Sequence, residues 1–289
     1  MMFPRSVLLL SLILACPAVA AGEPVPTAGG GPVFTGSTAQ HVYRSATQGR
    51  DPGAMYMLGN MFEQGIGVAK DYEAAFRWYY RAAELGNGEA MNSLGIAYAM
   101  GQGAPRNDEL SLRWFLKAAE KGSIPALSNI AKSYYLGAGV PVGYPEAATW
   151  FERAARKGDP GAMNNLAVMY EHGLGVAKDP DAAVALFAKS ARRGYPLAMR
   201  NLGVLYANGD YVRQDNLVAF AWMEAALEAG LQGEERDEVA HELGALATRL
   251  SAGELTRARI LGGEIVAAAV RQQQPRKGQA EPAAQRPVL

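Results

Sequence analysis

A period of 36 residues, kept through five copies with no insertion between them, constrains this chain more than anything else in it. The first copy carries Ala54, Leu58-Gly59, Phe62, Gly65-Ile66-Gly67-Val68, Asp71, Trp78-Tyr79, Ala82-Ala83 and Gly86. The second repeats the same kinds of residue at Ala90, Leu94-Gly95, Tyr98, Gly101, Gly103, Asn107, Trp114-Phe115, Ala118-Ala119 and Gly122. The third has Ala126, Ile130-Ala131, Tyr134, Gly137, Gly139, Trp150-Phe151, Ala154-Ala155 and Gly158. The fourth has Ala162, Leu166-Ala167, Tyr170, Gly173, Gly175, Asp179, Leu186-Phe187, Ser190-Ala191 and Gly194, and the fifth Ala198, Leu202-Gly203, Tyr206, Gly209, Asp215, Trp222, Ala226 and Gly230. A fixed period of this size marks a solenoid whose units pack only against their neighbours, so chain length counts units rather than globular domains.

Each unit divides into two helices around its glycine pair. Ala54, Leu58 and Phe62 recur four apart and share one helical face; Ala75, Trp78, Ala82 and Gly86 do the same on the second helix. Gly65 stands where the first helix needs a left-handed residue to end it. Asp71, Asn107, Asp179 and Asp215 precede the second helices, where a short oxygen-bearing side chain accepts from an unpaired N–H; the third unit has Gly143 there instead. Gly59, Gly95 and Gly203 share a column with Ala131 and Ala167 inside the first helices. A glycine inside a helix costs ~1 kcal/mol against alanine, which points to close packing as its reason. Trp114 and its equivalents are expected in the core.

This grammar, A-x-x-x-L-G-x-x-Y-x-x-G-x-G-V-x-x-D followed by W-Y-x-x-A-A and a closing Gly, resembles the Sel-one-like repeats, relatives of the tetratricopeptide repeats. The resemblance spans roughly residues 52 to 230 and implies an all-α, right-handed α-solenoid of helix-turn-helix repeats with helical caps. Two departures stand out: Leu186 replaces the Trp of the fourth unit, and Tyr211 replaces the second turn glycine of the fifth, where an altered turn is expected.

The ends follow a different grammar. Residues 1–20 read as a signal peptide, with Arg5, an apolar run from Val7 to Ala15, and Ala18-Val19-Ala20 as the cleavage site. The competing reading takes Ile13-Leu14-Ala15-Cys16 as a lipobox, with a lipid anchor at Cys16 and an outer-membrane lipoprotein as the product. Either way the chain is expected in the periplasm or secreted, with no transmembrane segment in its mature form. Residues 21–38 are Gly- and Pro-rich and read as a flexible linker, 39–52 as an N-terminal cap helix, and 53–230 as the five repeats. Residues 231–271 read as a C-terminal helical cap, in which Ser251 and Glu254 form a capping box, and 272–289 as a disordered tail.

Function classes narrow by elimination. With 28 basic and 28 acidic residues and no basic stripe in the sequence, no nucleic-acid partner is expected. Gly65-Ile66-Gly67 lacks the third glycine and the preceding strand of a dinucleotide loop. His241-Glu242 lacks the second histidine of a zinc-protease helix, and Ser93 lacks the flanking glycine of a nucleophile elbow. The chain is therefore read as non-enzymatic, with no cofactor and no metal.

The expected activity is binding. By analogy with tetratricopeptide repeats, three first-helix columns face a concave groove: Tyr56, Asn92, Ser128, Asn164 and Arg200; Asn60, Ile96, Lys132, Val168 and Val204; and Glu63, Ala99, Tyr135, Glu171 and Ala207. These columns vary in kind while the packing columns do not, as positions free of packing duty would. A neighbouring column, Asn129, Asn165 and Asn201, reads either as a clamp for a peptide backbone or, preferably, as a bond within the repeat. The resemblance implies a protein or peptide partner such as an envelope sensor, secretion or cell-wall complex. The alternative is an envelope enzyme or enzyme inhibitor acting on a cell-wall or glycan ligand.

Overall fold

The structure, a computed structural model, describes residues 33–273. The signal peptide, Cys16, most of the linker and nearly all of the C-terminal tail lie outside the described residues. Those described form thirteen α-helices and no strand, an all-α repeat solenoid. They fall into two compact units.

Unit 1 holds α1 (Ser37–Gln48), α2 (Pro52–Gln64), α3 (Tyr72–Glu84) and the short stretch Gln102–Ala104. α1 starts two residues before Ala39, and Phe34 and Thr35 just ahead of it are docked on unit 1. The Thr35 N–H donates to the Gly67 carbonyl at 2.7 Å, and the Phe34 ring lies 4.7 Å from Tyr43 and 6.0 Å from Phe62. Phe34 is the reason: a single aromatic gives this otherwise Gly- and Pro-rich stretch enough apolar area to dock.

Unit 2 holds four helix pairs and the C-terminal cap. The pairs are α4 (Gly88–Met100) with α5 (Asp108–Glu120), α6 (Ile124–Leu136) with α7 (Tyr144–Arg156), α8 (Pro160–His172) with α9 (Pro180–Arg192), and α10 (Pro196–Asn208) with α11 (Asn216–Glu228). The cap is α12 (Glu234–Ala247) and α13 (Ala252–Gln273), the latter running two residues past the expected end of the cap at 271. α13 packs along α11 and reaches α9.

Local chemistry explains the helix bounds. Asp71, Asn107, Asp179 and Asp215 each accept from the N–H three residues on, at 2.9 to 3.0 Å. α7 starts after Gly143 without a side-chain cap; Pro145 at its first turn presets φ instead. Second helices end in a left-handed glycine, with Gly86 N–H on Ala83 O and Asn87 N–H on Ala82 O as the pattern. In the cap, Ser251 N–H donates to Glu254 Oε2 at 2.8 Å while Glu254 N–H reaches Ser251 Oγ at 3.3 Å, the predicted capping box.

The turn between paired helices closes the same way five times. A backbone bond joins Asp71 to Phe62, Asn107 to Tyr98, Gly143 to Tyr134, Asp179 to Tyr170 and Asp215 to Tyr206, at 2.9 to 3.0 Å. The fifth turn is thus not altered, contrary to expectation: Tyr211 adopts the left-handed φ of +60° that glycine takes elsewhere. Such a conformation costs a side-chain-bearing residue roughly 1–2 kcal/mol. At Gly139 the position also lacks room, because a Cβ would lie 2.2 Å from the Asp108 carbonyl oxygen.

Packing centres on the residue after the Trp column. Tyr79, Phe115, Phe151, Phe187 and Met223 are all buried, and each sits one period from the next. A Cβ on Gly59 would fall 2.4 Å from the Tyr79 ring, one on Gly95 2.4 Å from Phe115, and one on Gly203 2.5 Å from Met223. The helix-interior glycines are therefore sockets. Trp114, expected in the core, is only half-buried; its ring lies under Lys117 Nζ at 4.4 Å. The bulk predicted for Trp114 belongs one position later, to Phe115, because a helix turns about 100° between neighbours and only one of the two can point at the socket.

Candidate functional site

The first helices present the candidate columns, and the three columns meet different fates. The first is largely committed to packing. Asn92 and Asn164 are buried, as is Ser128. Asn129 Nδ2 donates to Asn92 Oδ1 at 2.9 Å, and Asn201 Nδ2 to Asn164 Oδ1 at 3.0 Å, each across a repeat junction. Asn129 and Asn201 thus bond between repeats, while Asn165 Oδ1 accepts from Asn164 Nδ2 at 3.4 Å within its own repeat. The Ser128 hydroxyl donates to Asp159 Oδ2 at 2.7 Å, and Arg200 Nη2 donates to Glu238 Oε2 of α12 at 2.5 Å. Column one is a polar seam between neighbouring helices, so Asn92, Asn164 and Arg200 are not open groove contacts. Buried amides satisfy one another more cheaply than they stay unpaired.

The second and third columns stay more open. In unit 2, Ile96 and Lys132 are exposed, while Val168, Val204, Tyr135 and Glu171 are partly so. Tyr135 leans on Tyr144, its ring centroid 5.4 Å away at an edge-on angle of 67°. In unit 1, Tyr56 and Asn60 are half-buried around Tyr79. The Tyr79 hydroxyl lies 2.7 Å from Asn60 Oδ1 and 2.5 Å from Glu63 Oε2, and the Tyr56 and Tyr79 rings are 5.9 Å apart. Tyr79 is the one member of its column with a hydroxyl, and that hydroxyl, on a buried ring, meets the candidate residues Asn60 and Glu63 from beneath. The sequence held this signal in the Phe, Phe, Phe and Met that replace it.

Other polar junctions escaped sequence reasoning. Ser111 Oγ donates to Gly95 O at 2.7 Å and Ser190 Oγ to Pro160 O at 2.6 Å, each serving a first-helix carbonyl. Asp159 caps α8 by accepting from Ala162 N–H at 2.9 Å. Burial, reinforced by the Asp159 carboxylate, holds the Tyr195 hydroxyl above the usual tyrosine range. Neither arrangement brings a base to a nucleophile. His41 lines a shallow concavity on α1 with Ser37, Thr38, Gln40 and Arg44, a set without a carboxylate. Among the described residues no three His, Cys, Asp or Glu side chains are placed to hold a metal ion. No described helix is long and apolar enough to cross a membrane.

Tandem helix pairs of one length, closed by one turn and joined by one socket, define a helix-turn-helix repeat scaffold. The chain belongs to the Sel1 repeat family, whose pattern matches residues 52–87, 88–123, 124–159, 160–195 and 196–231. It is similar to a Sel1 repeat protein of Oxalobacter formigenes, with 28% identity over 78% of this chain and 99% of that one and a TM-score of 0.64. A Sel1 repeat protein of Klebsiella pneumoniae is 21% identical over 72% of this chain and 99% of that one, with a TM-score of 0.47. An immunity protein of Pseudomonas aeruginosa is 18% identical over 81% of this chain and 84% of that one, with a TM-score of 0.46. No curated protein matches the chain.

Proposed function

We propose that the protein is a non-enzymatic scaffold of the periplasm or envelope that holds a protein or peptide partner against the first helices of unit 2. One observation carries this reading. Ile96 and Lys132 stand exposed along the first helices and Tyr135, Val168, Glu171 and Val204 partly so, and together they mix apolar, aromatic and charged side chains. A face of that composition suits a polypeptide, whose alternating side chains and backbone use all three. Export rests on the leader read in the sequence, and repeat scaffolds of this family suit protein partners.

The test is crosslinking and affinity capture of the mature protein from its own envelope, beside a Lys132→Glu, Val168→Asp double variant shown by circular dichroism to be folded. Wild type should capture a defined partner that the variant loses. Undiminished capture by the variant would remove the first-helix face from the reading.

A further inference from the structure

The balanced charge of the sequence conceals a segregated one in the fold. In unit 2 the second helices α5, α7 and α9 end in cations that repeat at the 36-residue spacing. Lys117, Arg153 and Lys189 form one row, and Lys121, Lys157 and Arg193 another; Arg156 and Arg192 lie between them, where the second repeat has Glu120. All eight cations are exposed. Repeats three and four alone bring six of them to one edge. Glu152 is the carboxylate nearest in sequence on α7, and it pairs with Arg156 at 2.9 Å; α9 carries none after Asp181 in its first turn. Asp159, next along, is turned to the α8 N-terminus and the Ser128 hydroxyl.

Helix-end electrostatics does not account for this concentration. A cation in the last turn offsets the helix dipole, worth 0.3–1 kcal/mol, and every second helix would gain equally from one. Yet α11 has no basic residue in its last turn, and α3 carries Arg81 of the first row but Glu84 and Leu85 where α7 and α9 have further cations. The cations of α5, α7 and α9 are also held in place. Lys117 and Arg153 lie over the rings of Trp114 and Trp150, at 4.4 and 4.2 Å, and Arg193 Nη1 donates to the Gly158 carbonyl of the preceding repeat at 3.2 Å. Lys121, Lys157, Lys189 and Arg192 form no ion pair with any described residue.

We propose that the last turns of α7 and α9 form a docking surface for an acidic segment of a partner protein, separate from the first-helix face. Four of the six cations there are arginines, whose planar fork matches a carboxylate with two parallel hydrogen bonds. The Arg193 guanidinium reaches the Gly158 carbonyl just past α7, so the ends of α7 and α9 adjoin and one run of carboxylates meets both. No large apolar side chain is exposed in the last turns of α7 and α9, which does not suit a surface that inserts into lipid; the exposed Tyr144 lies at the opposite end of α7. The Trp faces are already covered by Lys117 and Arg153, leaving no platform on which nucleic-acid bases stack.

Anisotropy of a fluorescein-labelled Glu-Glu-Ser repeat peptide, titrated with the full chain at low and physiological salt, tests this. The wild type should bind at low salt and weaken with added salt. A Lys157→Glu, Arg192→Glu variant should bind at least roughly tenfold more weakly at unchanged helical content, while Lys132→Glu on the first-helix face should bind as wild type does. No peptide binding at low salt, or equal binding by the double reversal, would overturn the proposal. So would retention on phosphatidylglycerol vesicles or duplex DNA with none on the peptide.

Discussion

In the middle of unit 2, the helices meet by a rule that recurs; at its C-terminal end they meet by devices used once. Ala131 and Phe151 share one buried cluster, Ala167 and Phe187 another, and Gly95 receives Phe115 in the same manner. At the end, α13 approaches α11 through Gly262, where a Cβ would lie 3.1 Å from the Ala221 carbonyl oxygen. Around it are Glu224, 3.7 Å from Arg259, and the Arg200–Glu238 pair. Of five buried side-chain polar atoms without a hydrogen-bond partner among the described residues, four belong to Arg200, Asn216, Glu224 and Glu242. Apolar burial continues into the end through Val239, Leu246, Ala258 and Ala269, and charge and backbone proximity are added to it there. Burial of apolar volume is the stronger and more forgiving term, which is why the interior tolerates repetition and the end does not need it.

The largest expected effect belongs to the interior. Phe151→Ala should cost about 3–5 kcal/mol, measured by urea unfolding, whereas Trp114→Ala, half-exposed, should cost clearly less. Equal losses would erase the distinction between the socket column and its neighbour. An intermediate effect of opposite sign is expected at the fifth turn. Tyr211→Gly relieves a left-handed side-chain-bearing residue and should raise stability by up to about 1 kcal/mol; a drop would mean that the ring, 5.7 Å from Lys178 Nζ, contributes more than its strain costs.

The smallest effect tests the end. Burial pushes the Glu224 carboxyl above its ordinary range, Arg259 opposes this, and Glu228 adds to the rise. A carboxyl raised in the folded state gives stability that is present below its unfolded value and lost as pH climbs through the folded one. Glu224→Gln should therefore flatten the decline in melting temperature between acid and neutral pH, by a degree or two at this exposure. Parallel curves for wild type and variant would show that the group is as well solvated folded as unfolded.

The repeats were legible because identical physical demands return at a fixed interval. Left-handed turns need glycine, helix starts need Asp or Asn, and sockets need Gly or Ala, so Gly65, Asp71 and Gly59 announce their roles through their equivalents. What the sequence hid depends on direction rather than type. Nothing in Trp114-Phe115 says which ring turns inward, and nothing in Asn92 says that its amide will meet Asn129 of the next repeat. Tyr211 misled for a related reason: the turn is set by its closing bond and the helices it joins, which carry the residue into a conformation its side chain disfavours. The candidate columns were legible as first-helix positions. Their exposure was not, because that depends on what the neighbouring repeat offers.

The recurring turn bond gives the chain a mechanical character. Each of the five clasps joins residues nine apart at 2.9 to 3.0 Å, and each closes the turn inside one 36-residue unit. Under tension at its ends, such a chain would lengthen in steps, each repeat that unfolds freeing on the order of 120 Å of extended chain before the next bears the load. A scaffold built this way could yield one repeat while keeping its hold with the others.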